Sequence, residues 1–228
     1  MHNTFFVTGT DTDAGKTVAS CGLLEAARLA GLSTLALKPV SAGCYVTPEG
    51  LRNQDAVELM AAMSSEAGYE QVNPVAVEPA IAPHIAIAML NLDATTEQLH
   101  GKCRQTIESV NADFTLIEGA GGWLAPLNRY EMISDLAKSL NIPVIMVVNM
   151  KLGCLNHATL TARTIAQDGL VLKGWIANTA EVEMEAYQEN LATLKQTLSA
   201  PCIGEIPWMP ACNPTAVARF LDVQALLS

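Results

Sequence analysis

The sequence predicts an α/β fold in which a mainly parallel sheet of about six or seven strands carries helices on both faces. Short apolar, β-rich runs alternate along the chain with longer helical stretches. Half of the 228 residues are apolar and only 5% are aromatic, so aliphatic side chains must fill the core. No repeat, low-complexity tract or obvious linker interrupts the pattern, and we expect residues 1–228 to form one domain.

Six short apolar runs have the composition of buried strands. They are nearly continuous in apolar residues rather than alternating, which is typical of parallel strands covered on both faces. The predicted strands are Thr4–Thr8, Thr34–Lys38, Phe114–Glu118, Pro143–Asn149, Gly174–Asn178 and Pro201–Ile206.

Helical stretches separate these runs. Gly31 and Gly169 follow two of them as helix-stop signals, Asp93 is a candidate N-cap for a third, and Pro74–Pro83 is predicted to be a proline-rich loop. The predicted helices are Lys16–Ala30, Gln54–Met63, Thr95–Val110, Ile133–Leu140, Leu155–Asp168, Glu183–Leu198 and Thr215–Leu227.

Charge and cysteine content exclude several classes of function. The formal net charge is −10, from 13 basic and 23 acidic residues, which argues against nucleic acid and anionic membranes as partners. No apolar run reaches the ~18 residues of a membrane helix, and the N-terminus lacks a basic region followed by a long apolar core. The six cysteines form no CxxC pair, which favours free thiols in a reducing compartment. We therefore expect a cytoplasmic protein.

Polar or glycine residues follow or end five of the predicted strands. They are Gly9, Lys38, Glu118, Asn149 and Asn178. In an open parallel sheet, ligands bind beyond the carboxyl ends of the strands. The sequence therefore predicts a functional site at that edge of the sheet.

The sharpest motif is the run GTDTDAGKT, from Gly9 to Thr17. Glycine permits a loop whose N–H groups point at phosphate oxygens where a helix begins. Lys16 would reach the β- and γ-phosphates, and Thr17 would offer its hydroxyl to magnesium. The run departs from the strict GxxxxGK[ST] pattern, because five residues separate Gly9 from Gly15. A strand, a glycine-containing loop, GKT and a helix in this order nevertheless favour phosphate binding over an ordinary turn.

Three further side chains are candidates for the same site. Glu118 ends an apolar run and precedes a glycine run, as an acidic magnesium ligand does in P-loop proteins, although a buried strand can also end in Glu by chance. Lys38 would lie at the same edge, whereas a lysine after a strand is usually a solvated cap. Asp55 opens a helix, where a favourable interaction with the helix dipole is the simpler explanation.

The segment Gly153-Cys154-Leu155-Asn156-His157 begins another helix, and its free N–H groups could hold a carboxylate. For His157 a structural role is the favoured interpretation. Cys154 is expected to pack rather than to act as a nucleophile, because no base stands beside it in the sequence.

Seven blocks of the sequence resemble the dethiobiotin synthetase family. In order they are FVTGTDTDAGKT, ALKPVSAG, PEGLRNQDA, LIEGAGGW, VIMVVNMKLGCLNHA, GWIANT and GEIPW, and they cover nearly the whole chain. The resemblance implies a P-loop domain that acts as a homodimer with its active site at the subunit interface. It also implies an ATP- and Mg²⁺-dependent ligase of biotin biosynthesis that closes the cyclic urea of dethiobiotin on 7,8-diaminononanoate with CO2, releasing ADP and phosphate.

The same resemblance implies roles for individual residues. Lys38 would be the catalytic lysine, and Thr12 and Lys16 would approach the substrate's carbamate. Mg²⁺ would be bound by Thr17, Asp55 and Glu118. ATP phosphates would be wrapped by Asp13, Ala14, Gly15, Lys16, Thr17 and Val18.

Further positions would surround the substrates. The phosphate and substrate side would be lined by Glu118, Gly119, Ala120 and Gly121. Adenine would be held by Asn178, Pro207, Trp208 and Met209. The substrate carboxylate would be bound, from the other subunit, by Lys151, Gly153, Cys154 and Asn156.

Two positions depart from the family pattern. Ser or Thr commonly precedes the glycine of KPVxSG, whereas here Ala42 stands there and the serine is Ser41, so a hydroxyl contact to the substrate is expected to be shifted or lost. The segment MPACNPT after Trp208 lacks the acidic residue that can contact the nucleotide ribose, so the departure concerns nucleotide affinity or base preference.

Two other functions are compatible with the loop motif. A partitioning or site-selection ATPase shares the sheet and GKT, but many of these carry a lysine beside the first glycine, where this chain has Thr10, Asp11 and Thr12. The chain also lacks an amphipathic basic tail for membrane or DNA. A synthetase-like domain acting on a larger cofactor acid is the third possibility.

Overall fold

The computed structural model describes residues 3–182, 184–210 and 212–227. Six strands form the central sheet: β1 Thr4–Gly9, β2 Thr34–Leu37, β7 Phe114–Gly122, β8 Val144–Asn149, β9 Leu172–Asn178 and β10 Cys202–Ile206. Four short strands lie outside it: β3 Val40–Ser41, β4 Tyr45–Thr47, β5 Gly50–Arg52 and β6 Val75–Ala76. The central order is β10-β9-β8-β1-β7-β2, and every pairing in it is parallel.

The helices lie between these strands. Their bounds are α1 Lys16–Leu29, α2 Gln54–Ala62, α3 Tyr69–Val72, α4 Pro83–Met89, α5 Thr96–Val110, α6 Ile133–Leu140, α7 Cys154–Gln167, α8 Tyr187–Thr197, α9 Pro214–Ala218 and α10 Gln224–Leu227. Within the described parts of the chain, none of the helices is both long and apolar enough to span a membrane.

Apolar side chains of the sheet pack on both of its faces. Along β1, Phe5 and Val7 join the core cluster that contains α1, whereas Phe6 joins the cluster on the opposite face. Leu116 and Ile117 of β7 divide in the same way. A strand turns successive side chains to opposite faces, so the continuous apolar runs are explained by a sheet that is covered twice. The predicted α/β fold is confirmed.

The strand order places a crevice at the carboxyl end of β1. From β1 the chain passes through α1 to β2 on one side, and from β7 it passes through α6 to β8 on the other side. The connections thus leave the neighbouring strands β1 and β7 in opposite directions, and such a reversal is the switch point where open α/β sheets bind ligands.

The predicted closing helix Thr215–Leu227 is wrong, because the structure has two short helices, α9 and α10, at its ends. Between them the chain pairs with the outer edge of β10: the Asp222 N–H donates to Ile203 O at 2.8 Å, and Glu205 N–H to Phe220 O at 3.3 Å. A side chain on Gly204 would collide with Leu221, so this glycine permits the close approach. Covering the edge of β10 therefore outweighs helix propensity here.

Other predicted elements also need correction. The loop predicted over Pro74–Pro83 contains β6, and α4 begins at Pro83, whose fixed φ suits the first helical position. The N-cap of α5 is Thr95 rather than Asp93; the Thr95 hydroxyl accepts from the Gln98 N–H. Helix α8 begins at Tyr187, and the predicted helix start at residue 183 lies outside the described residues.

The apolar run had predicted a strand that ends at Glu118, and this end is wrong. Strand β7 continues to Gly122, and Glu118 pairs with Val7 inside the sheet. The register against β1 then shifts, so that Gly122 lies opposite Gly9. Glycine has low strand propensity, which is why local sequence placed the end too early.

Candidate active site

A cavity of about 970 Å³ opens at the carboxyl end of β1, where the sequence predicted the site. Segments from across the chain line it, so the fold brings most of the predicted residues together. Among the predicted residues, those that line it are Thr12, Asp13, Gly15, Lys16, Thr17, Val18, Lys38, Ser41, Ala42, Asp55, Ala120 and Gly121. The 80–84 segment, which includes His84, forms a further wall that the sequence did not indicate.

The loop between β1 and α1 has the backbone shape of a phosphate cradle. Asp13 and Gly15 take positive φ values of 58° and 83°, and Gly15 is the N-cap of α1. A Cβ on Gly15 would collide with the Asn178 amide, so only glycine fits between the loop and β9. The free N–H groups at the start of α1 therefore lie at the edge of the cavity, where they can receive an anion.

Lys16 is largely buried and lies over this loop, with its Nζ donating to Asp11 O at 3.4 Å. Burial lowers the pKa of Lys16, and the nearby charge of Lys38 adds to that effect. Two lysine cations thus share one cavity, an arrangement that a polyanionic ligand would stabilise.

Behind the loop, Lys38 pairs with two carboxylates. Its Nζ lies 2.7 Å from Glu118 Oε1 and 2.9 Å from Asp55 Oδ2. The Thr17 hydroxyl donates to the same Glu118 oxygen at 2.9 Å. Burial alone would lower the pKa of Lys38, but the two carboxylates outweigh it and raise that pKa above its usual value. The side chain is therefore an ammonium ion held at the meeting point of two acids.

Thr17, Asp55 and Glu118 fit a divalent cation. The two carboxylates already converge on the Lys38 ammonium, and the Thr17 hydroxyl lies against the Glu118 oxygen. Carboxylate and hydroxyl oxygens are the ligands that Mg²⁺ prefers. Among the described residues no group of three or more His, Cys, Asp and Glu side chains forms a metal cage. A site with two carboxylates suits Mg²⁺ in particular, because this ion usually completes its shell with water and substrate phosphates.

A polar network fixes the backbone at Lys38. Asn73 Nδ2 donates to Lys38 O, and Asn73 Oδ1 accepts from the Ser41 hydroxyl at 2.7 Å and from the Tyr69 hydroxyl at 2.9 Å. The Tyr69 oxygen in turn accepts from the Asn53 N–H at 2.7 Å, directly before α2. The network therefore joins Lys38, which directly follows β2, to the start of the helix that carries Asp55.

The predicted adenine contacts do not line this cavity. Asn178 is buried against the loop, and its Nδ2 donates to Ala14 O at 2.9 Å. Pro207 and Trp208 are exposed after β10, whereas Met209 packs against the core beside α1. All four still belong to the same edge of the sheet, because β9 ends at Asn178 and β10 ends directly before Pro207.

The predicted carboxylate-binding segment also lies outside this cavity. Lys151 Nζ pairs with Asp11 Oδ2 at 3.1 Å, and this hydrogen bond lowers the pKa of Asp11. Gly153 takes a φ of 97° and caps α7, Cys154 is buried, and Asn156 is exposed. Through its pair with Asp11, Lys151 contacts the phosphate loop.

Together, the parallel sheet and the loop between β1 and α1 define a P-loop nucleotide-binding protein. Solved structures with this fold include a ParA family ATPase from Chlorobium tepidum, with a TM-score of 0.61 and 10% identity over 99% of both chains. The MinD cell division protein of Aquifex aeolicus matches with a TM-score of 0.58 and 15% identity, over 99% of this chain and 93% of that one. At such low identity these likenesses show the fold alone.

Sequence relatives identify the family. A family model described as an AAA domain matches residues 3–216. The ATP-dependent dethiobiotin synthetase BioD of Cellvibrio japonicus is 52% identical over 98% of this chain and 97% of its own length. The BioD proteins of Pseudomonas aeruginosa PAO1 and Aeromonas salmonicida are 51% and 47% identical over 97% and 100% of both chains, respectively. The chain belongs to the dethiobiotin synthetase family, as its motifs predicted.

Proposed function

We propose that this chain closes the urea ring of dethiobiotin on 7,8-diaminononanoate, using CO2, ATP and Mg²⁺. Its relatives, named ATP-dependent dethiobiotin synthetase, confirm the predicted ligase activity in biotin synthesis. The observation that carries the residue assignment is the convergence of Lys16, Lys38, Asp55 and Thr17 on one cavity, with Glu118 directly behind it. A partitioning or site-selection ATPase, in which the nucleotide only switches the protein between states, needs the loop and the metal ligands but has no use for a second substrate.

The reaction has three steps. One substrate amine attacks CO2 and loses a proton, which gives a carbamate. A carbamate oxygen attacks the γ-phosphorus of ATP, ADP leaves, and a carbamic–phosphoric anhydride forms. The second amine attacks the anhydride carbonyl, phosphate is expelled, a proton is lost, and the five-membered urea closes.

The proposed work of the protein is to neutralise charge and to align the reactants, because phosphoryl transfer needs little covalent help. The N–H groups at the start of α1 and Lys16 would hold the ATP phosphates. Lys38 and Thr12 would face the carbamate. Mg²⁺, held by Thr17, Asp55 and Glu118, would supply a Lewis acid for the phosphate oxygens. Concentrated positive charge stabilises the transition state most where water is excluded.

We propose that Lys151, Gly153, Cys154 and Asn156 receive the substrate carboxylate of a partner subunit in a homodimer. Support comes from their position outside the cavity of their own subunit and from the 94% exposure of neighbouring Leu152. In the proposed homodimer a second copy would cover this leucine and remove its apolar surface from water.

Asn178, Pro207, Trp208 and Met209 would hold the adenine, and residues 1–228 would act as one domain. The Ser41 hydroxyl is committed to Asn73, and Ala42 presents only a methyl group, so the substrate meets a less polar wall than the family pattern provides. The six cysteines are all free, which supports a location in the reducing cytoplasm.

The test is ADP release measured with ATP, Mg²⁺, bicarbonate and 7,8-diaminononanoate. Release should require both the diamine and bicarbonate, and dethiobiotin should appear in equal amount. Lys16→Ala and Lys38→Ala should reduce turnover by orders of magnitude in folded protein. ADP release that does not depend on the diamine would instead indicate a partitioning or site-selection ATPase. Near-normal activity of either variant would refute the role given to that lysine.

A further inference from the structure

We infer that Ser20 is a positioning residue that orients the Glu118 carboxylate for the metal ion. The inference rests on the proposed function, in which Glu118 binds Mg²⁺. Neither the family motifs nor the sequence pattern drew attention to Ser20, which lies one turn beyond the GKT tripeptide in α1.

The geometry of α1 directs two hydroxyl groups at one carboxylate. Thr17 and Ser20 are three residues apart, so they lie on the same face of the helix. Thr17 donates to Glu118 Oε1 at 2.9 Å, and Ser20 donates to Glu118 Oε2 at 2.8 Å. Each oxygen of the carboxylate therefore has its own hydroxyl donor from the same helix.

The two oxygens differ in their access to the cavity. Oε1 accepts from Thr17 and Lys38, and both of these residues line the cavity. Oε2 accepts from Ser20, which is fully buried behind the cavity, as is Glu118. Ser20 thus hydrogen-bonds to the inner oxygen, Oε2, and leaves the outer oxygen, Oε1, facing the cavity where a cation would bind.

Ser20 is also the partner that can persist when ligands bind. The Thr17 hydroxyl and the Lys38 ammonium are groups that ATP, Mg²⁺ and the carbamate would engage, whereas nothing from the cavity reaches Ser20. The terminal torsion of a glutamate is broad, so a carboxylate without a fixed second oxygen can turn. The Ser20 hydroxyl holds that torsion and presents Oε1 alone to the metal.

Metal affinity is the property that this role predicts. Losing an outer partner of a metal ligand typically weakens metal affinity about 10- to 100-fold. For Ser20→Ala we expect a rise of at least about 10-fold in the Mg²⁺ concentration for half-maximal activity at saturating ATP. The binding of Mn²⁺ in the presence of a non-hydrolysable ATP analogue, followed by the electron paramagnetic resonance signal of free Mn²⁺, should weaken by a similar factor.

Three variants separate orientation from general damage. Ser20→Thr keeps the hydroxyl and should retain most of the metal affinity, whereas Ser20→Cys fills the space with a poor donor and should behave like Ser20→Ala. Ser134→Ala is the matched control, because Ser134 is equally buried in α6 but its hydroxyl has no hydrogen-bond partner among the described residues. This control should bind Mn²⁺ as the unmodified protein does.

The outcomes are distinct. Unchanged Mn²⁺ affinity in folded Ser20→Ala, together with inactivation by Lys38→Ala, would overturn the role of Ser20 and leave the proposed function intact. If Ser20→Thr does not fold, equal Mn²⁺ affinity in Ser20→Cys and Ser134→Ala overturns the role on its own. ADP release by the unmodified protein that does not depend on the diamine and bicarbonate would instead remove the proposed function on which the inference rests.

Discussion

Replacing Lys38 with methionine should destabilise the protein far more than the loss of an ordinary ion pair. The ammonium of Lys38 is the cationic partner of Glu118 inside the core, where the side chains of Lys38 and Glu118 are 4% and 0% exposed. Removing one partner of a buried pair costs about 3–5 kcal/mol, because it leaves a charge without compensation. Asp55 is 43% exposed, so solvent screens it and it adds little to that figure.

The magnitude can be measured by urea denaturation and by thermal unfolding in buffer free of divalent cations. A loss of this size corresponds to a fall in the melting temperature of roughly 6–20 °C for a chain of this length. The matched control is Lys195→Met, which removes an ion pair to Glu205 between side chains that are 46% and 42% exposed. Exposed pairs contribute about 0–1 kcal/mol, so this control should be nearly neutral.

Added Mg²⁺ should restore part of the stability of Lys38→Met, because the metal supplies the cation that the two carboxylates have lost. Binding at a hundredfold excess over the dissociation constant contributes about 2.7 kcal/mol. Equal stability of Lys38→Met and Lys195→Met without metal would refute the account of the buried pair. An absence of Mg²⁺ rescue would refute the proposed metal ligands.

Three further predictions follow from the cavity and its supports. Tyr69→Phe removes a hydroxyl that bridges two parts of the network and should reduce the free energy of unfolding in urea by about 1–3 kcal/mol; a neutral result would show that the bridge is not needed. Gly15→Ala should abolish binding of a fluorescent ATP analogue, since its Cβ collides with Asn178, whereas Gly31→Ala shares the positive φ in open space and should bind normally. Burial alone would raise the pKa of Asp55, but Lys38 holds it below its usual value. Asp55 should therefore contribute stability above about pH 4 that is lost as the pH falls through the pKa of the folded protein. When the urea midpoint of unfolding is measured against pH, Asp55→Asn should not show this loss.

Local sequence was sufficient for the central sheet and for most of the cavity. The run from Gly9 to Lys16 and the apolar strands have signals within a few neighbouring residues, and the carboxyl ends of parallel strands must meet. Lys38 and Glu118 were therefore expected at one edge, and the structure places their charged groups 2.7 Å apart.

What the sequence missed depends on distant partners. Ser20 and Glu118 are 98 positions apart, and Asn73 reaches the backbone of Lys38 across 35 positions, so no local spacing indicates either contact. The interruption between α9 and α10 is set by hydrogen bonds to the edge of β10, which compete with helix formation only after the sheet exists. Tertiary contacts override local propensity at each of these places.

The segment that follows Ala218 has a consequence for the behaviour of truncated protein. By donating to and accepting from β10, it occupies main-chain groups that another polypeptide could otherwise pair with. A version shortened before Pro214 would expose the unpaired edge of β10, together with the part of α1 that α9 covers, and another molecule could pair with that edge. We expect such a fragment to self-associate before it loses the shape of the loop between β1 and α1.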